Sequence, residues 1–391
     1  MAATLNADNR TEQRLIDWLG SQKANMIDLL ADLVNTDSGS YDKHGVDHVG
    51  SLLQEFLDHH GLQVRVAPIE EHGDILRASL GEDESPVLLM GHRDTVFDKG
   101  EVARRPFSIS KGRAYGPGVA DMKAGLVVNA FTAAAFAQLD RPPCGLVMLM
   151  TGDEEIASPS SRRIIEREAQ RARACFNSEP ARLPWKVVTR RKGGVFSEIT
   201  VRGKAAHSGA DFTKGVSAIE ELARKVIALH ALNTDGGATI NVGTISGGVS
   251  VNTVAPIASA KIDLRYARLG DRGGLVSAIE EIARTCSVPG ASGEFRISGE
   301  FVPLEEGPDN LGLFDLYRSV AAELGQDVER TSTGGCADSG FSAAMGCPTL
   351  CAVGPSGAGG HTEDEFIELD TLVPSAQVLA VTIARLTMEK V

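Results

Sequence analysis

The chain has 391 residues, long for a single hydrophobic core, so two domains are expected. Its 42% apolar and 23% charged content is that of an ordinary globular protein. A 5% aromatic fraction and a net charge of -13 argue against a nucleic-acid partner.

No apolar run approaches the ~20 residues that cross a bilayer, so no membrane partner is expected. Residues 1–8 lack the basic and apolar regions of a secretory signal, which points to a cytoplasmic protein. Cys144, Cys175, Cys286, Cys336, Cys347 and Cys351 show no CxxC spacing and read as free thiols. Cys336, in a Gly-rich loop, is the one expected near a site.

Helical periodicity opens the chain, with Leu15, Leu19, Met26, Leu29, Leu30 and Leu33 at three- and four-residue steps. A second helix is predicted over about 46–60. Strands and helices then alternate to about Cys175, the pattern of a doubly wound α/β sheet. Near Arg190 the order changes. It reads strand 195–201, helix 216–232, strand 238–245, strand 259–266, helix 275–286, strand 293–297. That β-α-β-β-α-β order is the ferredoxin-like split unit, a complete small domain. Afterwards the α/β pattern resumes, with a helix at 311–324, a strand at 348–353 and a last helix at 372–388. The expected division is a discontinuous domain of residues 1–191 and 303–391, with an inserted domain over 192–302.

Five candidate metal ligands lie where predicted strands or turns end: His92, Asp121, Glu155, Glu179 and His361. The carboxyl ends of a mostly parallel sheet form a natural crevice. Two imidazoles and three carboxylates exceed one tetrahedral zinc and suit two divalent ions sharing a carboxylate.

Each motif has a plainer reading. In Gly91-His92-Arg93-Asp94, residues two apart share a face of an extended segment, so Asp94 can orient the imidazole; a capping Asp in a strand-end loop fits equally. Asp121 follows Gly116-Pro117-Gly118 and would sit at a helix start, where the dipole favours an anion; it also reads as a simple cap. Asp153-Glu154-Glu155 can supply a ligand in Glu155 and a general base in Glu154, or be a solvated acidic loop. Glu179 precedes a proline, and His361 stands alone among acids in a Gly-rich loop. The set is specific where the members are not.

These stretches, above all 90–97 and 115–121, make the chain resemble the aminoacylase/carboxypeptidase family of dizinc metallopeptidases, nearest to the bacterial glutamate carboxypeptidases. The resemblance covers nearly the whole chain. It implies a zinc-peptidase-like α/β catalytic domain with a mostly parallel mixed sheet, plus a ferredoxin-like lid that carries a homodimer. It implies two Zn2+ ions, with Co2+ or Mn2+ as substitutes for carboxylate-rich sites. His92 and Glu179 would bind one ion and Glu155 and His361 the other, with Asp121 between them. Asp94 would orient His92, and Glu154 would be the general base. A cis peptide would join Asp121 to Met122. His207 in Gly203-Lys204-Ala205-Ala206-His207 would reach the neighbouring subunit's site. Asn252 and Arg265 would bind substrate, although a turn and a strand-end ion pair explain them as well.

The sequence departs from its relatives at two points. Glutamate-directed relatives carry an Arg-Pro pair just after the lid, where this chain reads Glu300-Phe301-Val302-Pro303. Relatives also carry a hydroxyl before Asp338, where this chain has Ala337. The expected activity is hydrolysis of an amide or peptide bond beside a free carboxylate, on a small peptide or N-acyl amino acid. The alternatives are an N-acyl amino acid deacylase and, more remotely, a catalytically silent binding protein on the same fold. Glu154 beside all five ligands argues against the last, since a binding module has no use for a base.

Overall fold

A computed structural model describes residues 7–234 and 237–388. The start of the chain, on which the signal reading rests, lies largely outside them. The described residues divide into two compact units. The larger comprises Met1–Arg190, Glu306–Thr333 and Ala337–Val391, and the smaller Arg191–Glu305 with Gly334–Cys336.

The larger unit is built on an eight-stranded mixed sheet. Its centre is parallel: Leu146–Thr151, Val87–His92, Ala174–Asn177 and Thr349–Cys351 lie side by side in that order. Ile75–Leu80 and Lys186–Arg191 flank this centre antiparallel. The central strands are apolar and wholly buried, as strands covered on both faces must be. Helix Ala124–Ala137 packs here with nearly every residue buried.

The opening periodicity belongs to two helices rather than one. Ala7–Gly20 and Lys23–Val34 are separated at Ser21-Gln22, where Ser21 Oγ donates to the Trp18 carbonyl and closes the first helix. Two helical stretches, Val119–Ala137 and Leu369–Leu386, are long and apolar enough to cross a membrane by length and composition alone. They are 94% and 61% buried within the fold, and their apolar character serves the core. A second, four-stranded antiparallel sheet joins Gly357–Ala358, Phe366–Glu368, Arg113–Tyr115 and Ser108–Ser110. Strands this short carry no periodic signal.

The smaller unit is a four-stranded antiparallel sheet in the order Thr239–Gly247, Ile257–Tyr266, Gly193–Arg202, Ser292–Phe301. Helices Ala218–His230 and Arg272–Arg284 cover its apolar face. Buried Val195, Ile199, Ile262, Leu264 and Tyr266 form a core of its own. The strand order is that of the ferredoxin-like split unit.

Candidate metal centre

Three parallel strands end beside one another and deliver most of the candidate ligands. His92 closes Val87–His92, Glu154 and Glu155 follow Leu146–Thr151, and Glu179 lies just past Ala174–Asn177. Asp121 arrives from a tight turn rather than from a helix start. Residues Val119–Lys123 are kinked at Asp121 and Met122, and the regular helix begins only at Ala124. The turn needs Gly118, whose φ of 74° is left-handed. The Asp121–Met122 peptide is cis. His361 comes from the loop after the short strand Gly357–Ala358, itself part of the unforeseen second sheet.

All five candidate ligands converge. His92 Nε2 lies 3.2 Å from Asp121 Oδ1 and 3.7 Å from Glu179 Oε1. His361 Nε2 lies 3.4 Å from Asp121 Oδ2 and 3.2 Å from Glu155 Oε2. Asp121 thus offers one oxygen to each imidazole. Glu154 Oε2 approaches His92 Nε2 to 3.9 Å.

Asp94 organises this cluster from below. His92 Nδ1 lies 2.9 Å from the Asp94 carbonyl and 3.4 Å from its carboxylate, so the backbone oxygen makes the closer contact. The Asp94 carboxylate accepts the backbone N–H groups of Glu154 and Glu155, both at 3.1 Å, and the Ser40 hydroxyl at 2.7 Å. One buried residue therefore meets the histidine chiefly through its backbone oxygen and holds the two glutamates through its side chain. The sequence offered no sign of Ser40.

The electrostatics are those of a site short of positive charge. Burial first, then Glu179, Glu155 and Asp338, push the Glu154 carboxyl well above its ordinary range, against the pull of His92. Burial and Asp121 raise Glu155. Burial opposes charge on His92, but Glu154, Asp121 and Asp94 outweigh it and raise its pKa. Hydrogen bonds to Asp121 and Glu155 lift His361 to about 10. Burial would raise Asp121, but the two histidines hold it far below the usual carboxylate range. Among the described residues, no lysine or arginine forms an ion pair with Asp121, Glu154 or Glu155. Glu155 Oε1 is buried without a hydrogen-bond partner. An orphaned carboxylate oxygen among carboxylates and imidazole nitrogens is the donor set of a divalent-cation site. Triads His92–Asp121–Glu179 and Asp121–Glu155–His361 are each close enough to hold one ion.

Nearby, Asp338 is buried and accepts the Ser158 hydroxyl at 2.5 Å. The hydroxyl that Ala337 cannot supply thus comes from another loop. Burial pushes Asp338 up to about 7.

The remaining candidates lie in the smaller unit. His207 is exposed, and its Nδ1 accepts the backbone N–H groups of Gly209 and Ala210 at 3.1 and 3.2 Å. A neutral ring accepting at Nδ1 carries its proton on Nε2. Asn252 is its neighbour: the Ser208 N–H donates to the Asn252 carbonyl at 3.0 Å. Both lie at the Ile257 end of strand Ile257–Tyr266, and Arg265 lies at the other. Arg265 donates to Asp263 at 2.8 Å and to Cys336 Sγ at 2.6 Å, its guanidinium 5.3 Å above Phe196. Cys336 thus meets Arg265 within the smaller unit.

The chain is similar to carboxypeptidase G2 of Pseudomonas sp. (strain RS-16), 29% identical over 93% of this chain and 89% of that protein. It is similar to acetylornithine deacetylase of Edwardsiella ictaluri (strain 93-146), 28% identical over 92% and 97%. The fold matches an M20-family metallo-carboxypeptidase from Sulfolobus solfataricus, with a TM-score of 0.78 at 16% identity over 93% of this chain and 99% of that one. The model of peptidase family M20/M25/M40 matches residues 88–385, and the chain belongs to that family.

Proposed function

We propose that this protein is a two-metal hydrolase that cleaves an amide or peptide bond next to a free carboxylate. The observation that carries the reading is Asp121, whose two oxygens are divided between His92 and His361. His92 and Glu179 would hold one ion and Glu155 and His361 the other, with Asp121 shared. Zinc is the first choice, and cobalt or manganese suits the same donors. Bound there, such ions supply Lewis acidity for a carbonyl and lower the pKa of water toward ~7.

The protein's own groups do the rest. Glu154 needs no place among the ligands. It takes the proton of the attacking water as the oxygen bonds to the carbonyl carbon, then delivers it to the leaving nitrogen as the C–N bond breaks. Asp94 holds Glu154 and Glu155 by their backbones and keeps His92 turned inward. His207 would donate through Nε2 to the oxyanion, and Asn252 would hydrogen-bond the substrate. Arg265 is the natural partner for a substrate carboxylate.

Ile257, at the end of the strand toward which His207 and Asn252 lie, stands eight residues from Arg265, roughly 26 Å at ~3.3 Å per residue. Residues of one smaller unit that far apart cannot grip a single small substrate. A homodimer, in which His207 and Asn252 come from the partner, resolves this. The edge strand Thr239–Gly247 exposes Ile245, and helix Ala218–His230 exposes Ile219 and Ile227, as a pairing surface would.

The names of the relatives favour two substrate classes, a peptide ending in an amino acid and an N-acyl amino acid. A metal-loaded screen over both, read by mass spectrometry with and without chelator, separates them. Chelator-sensitive release of a free amino acid is expected. Turnover that survives complete metal removal overturns the reading.

A further inference from the structure

Glu365 is an acid that the hydrolytic scheme leaves idle, and it is completely buried. A carboxylate withdrawn from water is costly unless its oxygens are met by donors. Backbone donors meet them. Glu365 Oε2 accepts the Gly118 N–H at 2.9 Å, while Oε1 accepts those of Ala120 at 2.8 Å and Asp121 at 2.9 Å.

All three donors belong to the turn that presents Asp121. Backbone N–H groups gathered around a left-handed residue make a concave anion cradle, and Gly118 supplies that residue. Glu365 also lies four residues beyond His361, in the same loop. Its carboxylate therefore ties the His361 loop to the Asp121 turn across 244 residues of chain. From the outside the loop is braced by Arg104 on the Glu363 carboxylate at 2.9 Å and Arg105 on the Glu363 carbonyl at 3.0 Å.

We propose that Glu365 is a positioning residue that holds the Asp121 carboxylate in register with His361, and so shapes the Asp121–Glu155–His361 half of the centre. The assignment rests on the two-ion reading. Asp121 is shared, so release of the turn disturbs both halves, but two of the three ligands of the Asp121–Glu155–His361 half lie on the segments that Glu365 joins, against one of three in the His92–Asp121–Glu179 half. The geometry thus names the half that loses more affinity. Partners that orient ligands are worth about 10–100-fold in metal affinity.

The test is zinc titration of the metal-free full-length chain against a chromogenic chelator, with thermal unfolding of the metal-free protein alongside. Glu365→Gln keeps the shape but turns an NH2 group toward a backbone N–H that needs an acceptor. One ion should weaken 10–100-fold, with the other weakened clearly less and the metal-free melting temperature little altered. The ion affected most should be the one lost in His361→Ala, so that adding Glu365→Gln to His361→Ala costs less affinity than Glu365→Gln does in the wild-type chain. Should the Gln variant not fold, Glu365→Asp keeps the charge and shortens the reach by one methylene, and the same selective weakening is expected. Equal weakening of both ions together with a lowered melting temperature overturns the assignment, as does no weakening of either. A wild-type chain that binds fewer than two ions overturns the two-ion reading itself, and this assignment with it.

Discussion

Glu154 and Glu155 are adjacent, chemically identical and buried in one cluster, yet their surroundings divide them. Glu155 faces His361 at 3.2 Å, while Glu154 stands 3.9 Å from His92. Burial and three neighbouring carboxylates raise Glu154, the direction that makes a carboxylate a better proton acceptor. Glu154→Gln preserves volume and removes the basic oxygen. It should keep both ions and lower the turnover rate by about 10²–10⁴-fold with little change in KM. Metal analysis beside steady-state rates decides the matter, because a variant with full metal and near-normal turnover would remove Glu154 from the role of base. The adjacent pair was visible in the sequence as a candidate ligand and a candidate base. Ser40 and Glu365 were not, because a hydroxyl or an acid that orients another group leaves no spacing to read.

The elements that the sequence announced are those with long, uninterrupted patterns. Leu146–Thr151 and Val87–His92 are unbroken apolar runs, and the six elements of the smaller unit came out in type and order. What stayed hidden was short or irregular. The second sheet is built of strands two or three residues long, and the kinked Val119–Lys123 segment displaces Asp121 from the helix start expected for it. The helix that follows is placed by a close approach rather than by propensity. A Cβ at Gly125 would stand 1.8 Å from the Ser178 carbonyl, one residue before Glu179. Gly125→Ala must therefore push the helix from the strand end or displace the loop that carries Glu179. Overpacking of this kind costs about 1–3 kcal/mol, and it should appear in denaturant unfolding together with weakened metal binding. Unchanged stability and metal content would mean that this contact has no part in setting the site.

The ligands are gathered from far apart in the sequence, and His361 arrives only after the chain has completed a separate folding unit. The pattern of candidate ligands at strand ends made the convergence legible, whereas the expected division of labour between two copies came only from the family resemblance. The proposal of two copies is supported by distance: His207 and Asn252 lie toward one end of a strand and Arg265 toward the other. If His207 acts on the partner's substrate, His207→Ala should lower the rate by about 10²–10³-fold and leave zinc content unchanged. If it serves only its own loop, stability falls and chemistry survives. Mixing the His207→Ala chain with the Glu154→Gln chain separates these outcomes, since each homodimer is disabled by a different defect. In a mixed dimer, the chain that keeps Glu154 faces the chain that keeps His207, so one of the two sites has both groups. Random exchange in an equal mixture makes half of the dimers mixed, and each carries one competent site of two. Activity should therefore rise to about a quarter of the wild-type value, well above either parent. Exchange proven by mass spectrometry with no recovery of activity would place His207 in its own chain's site or outside the chemistry.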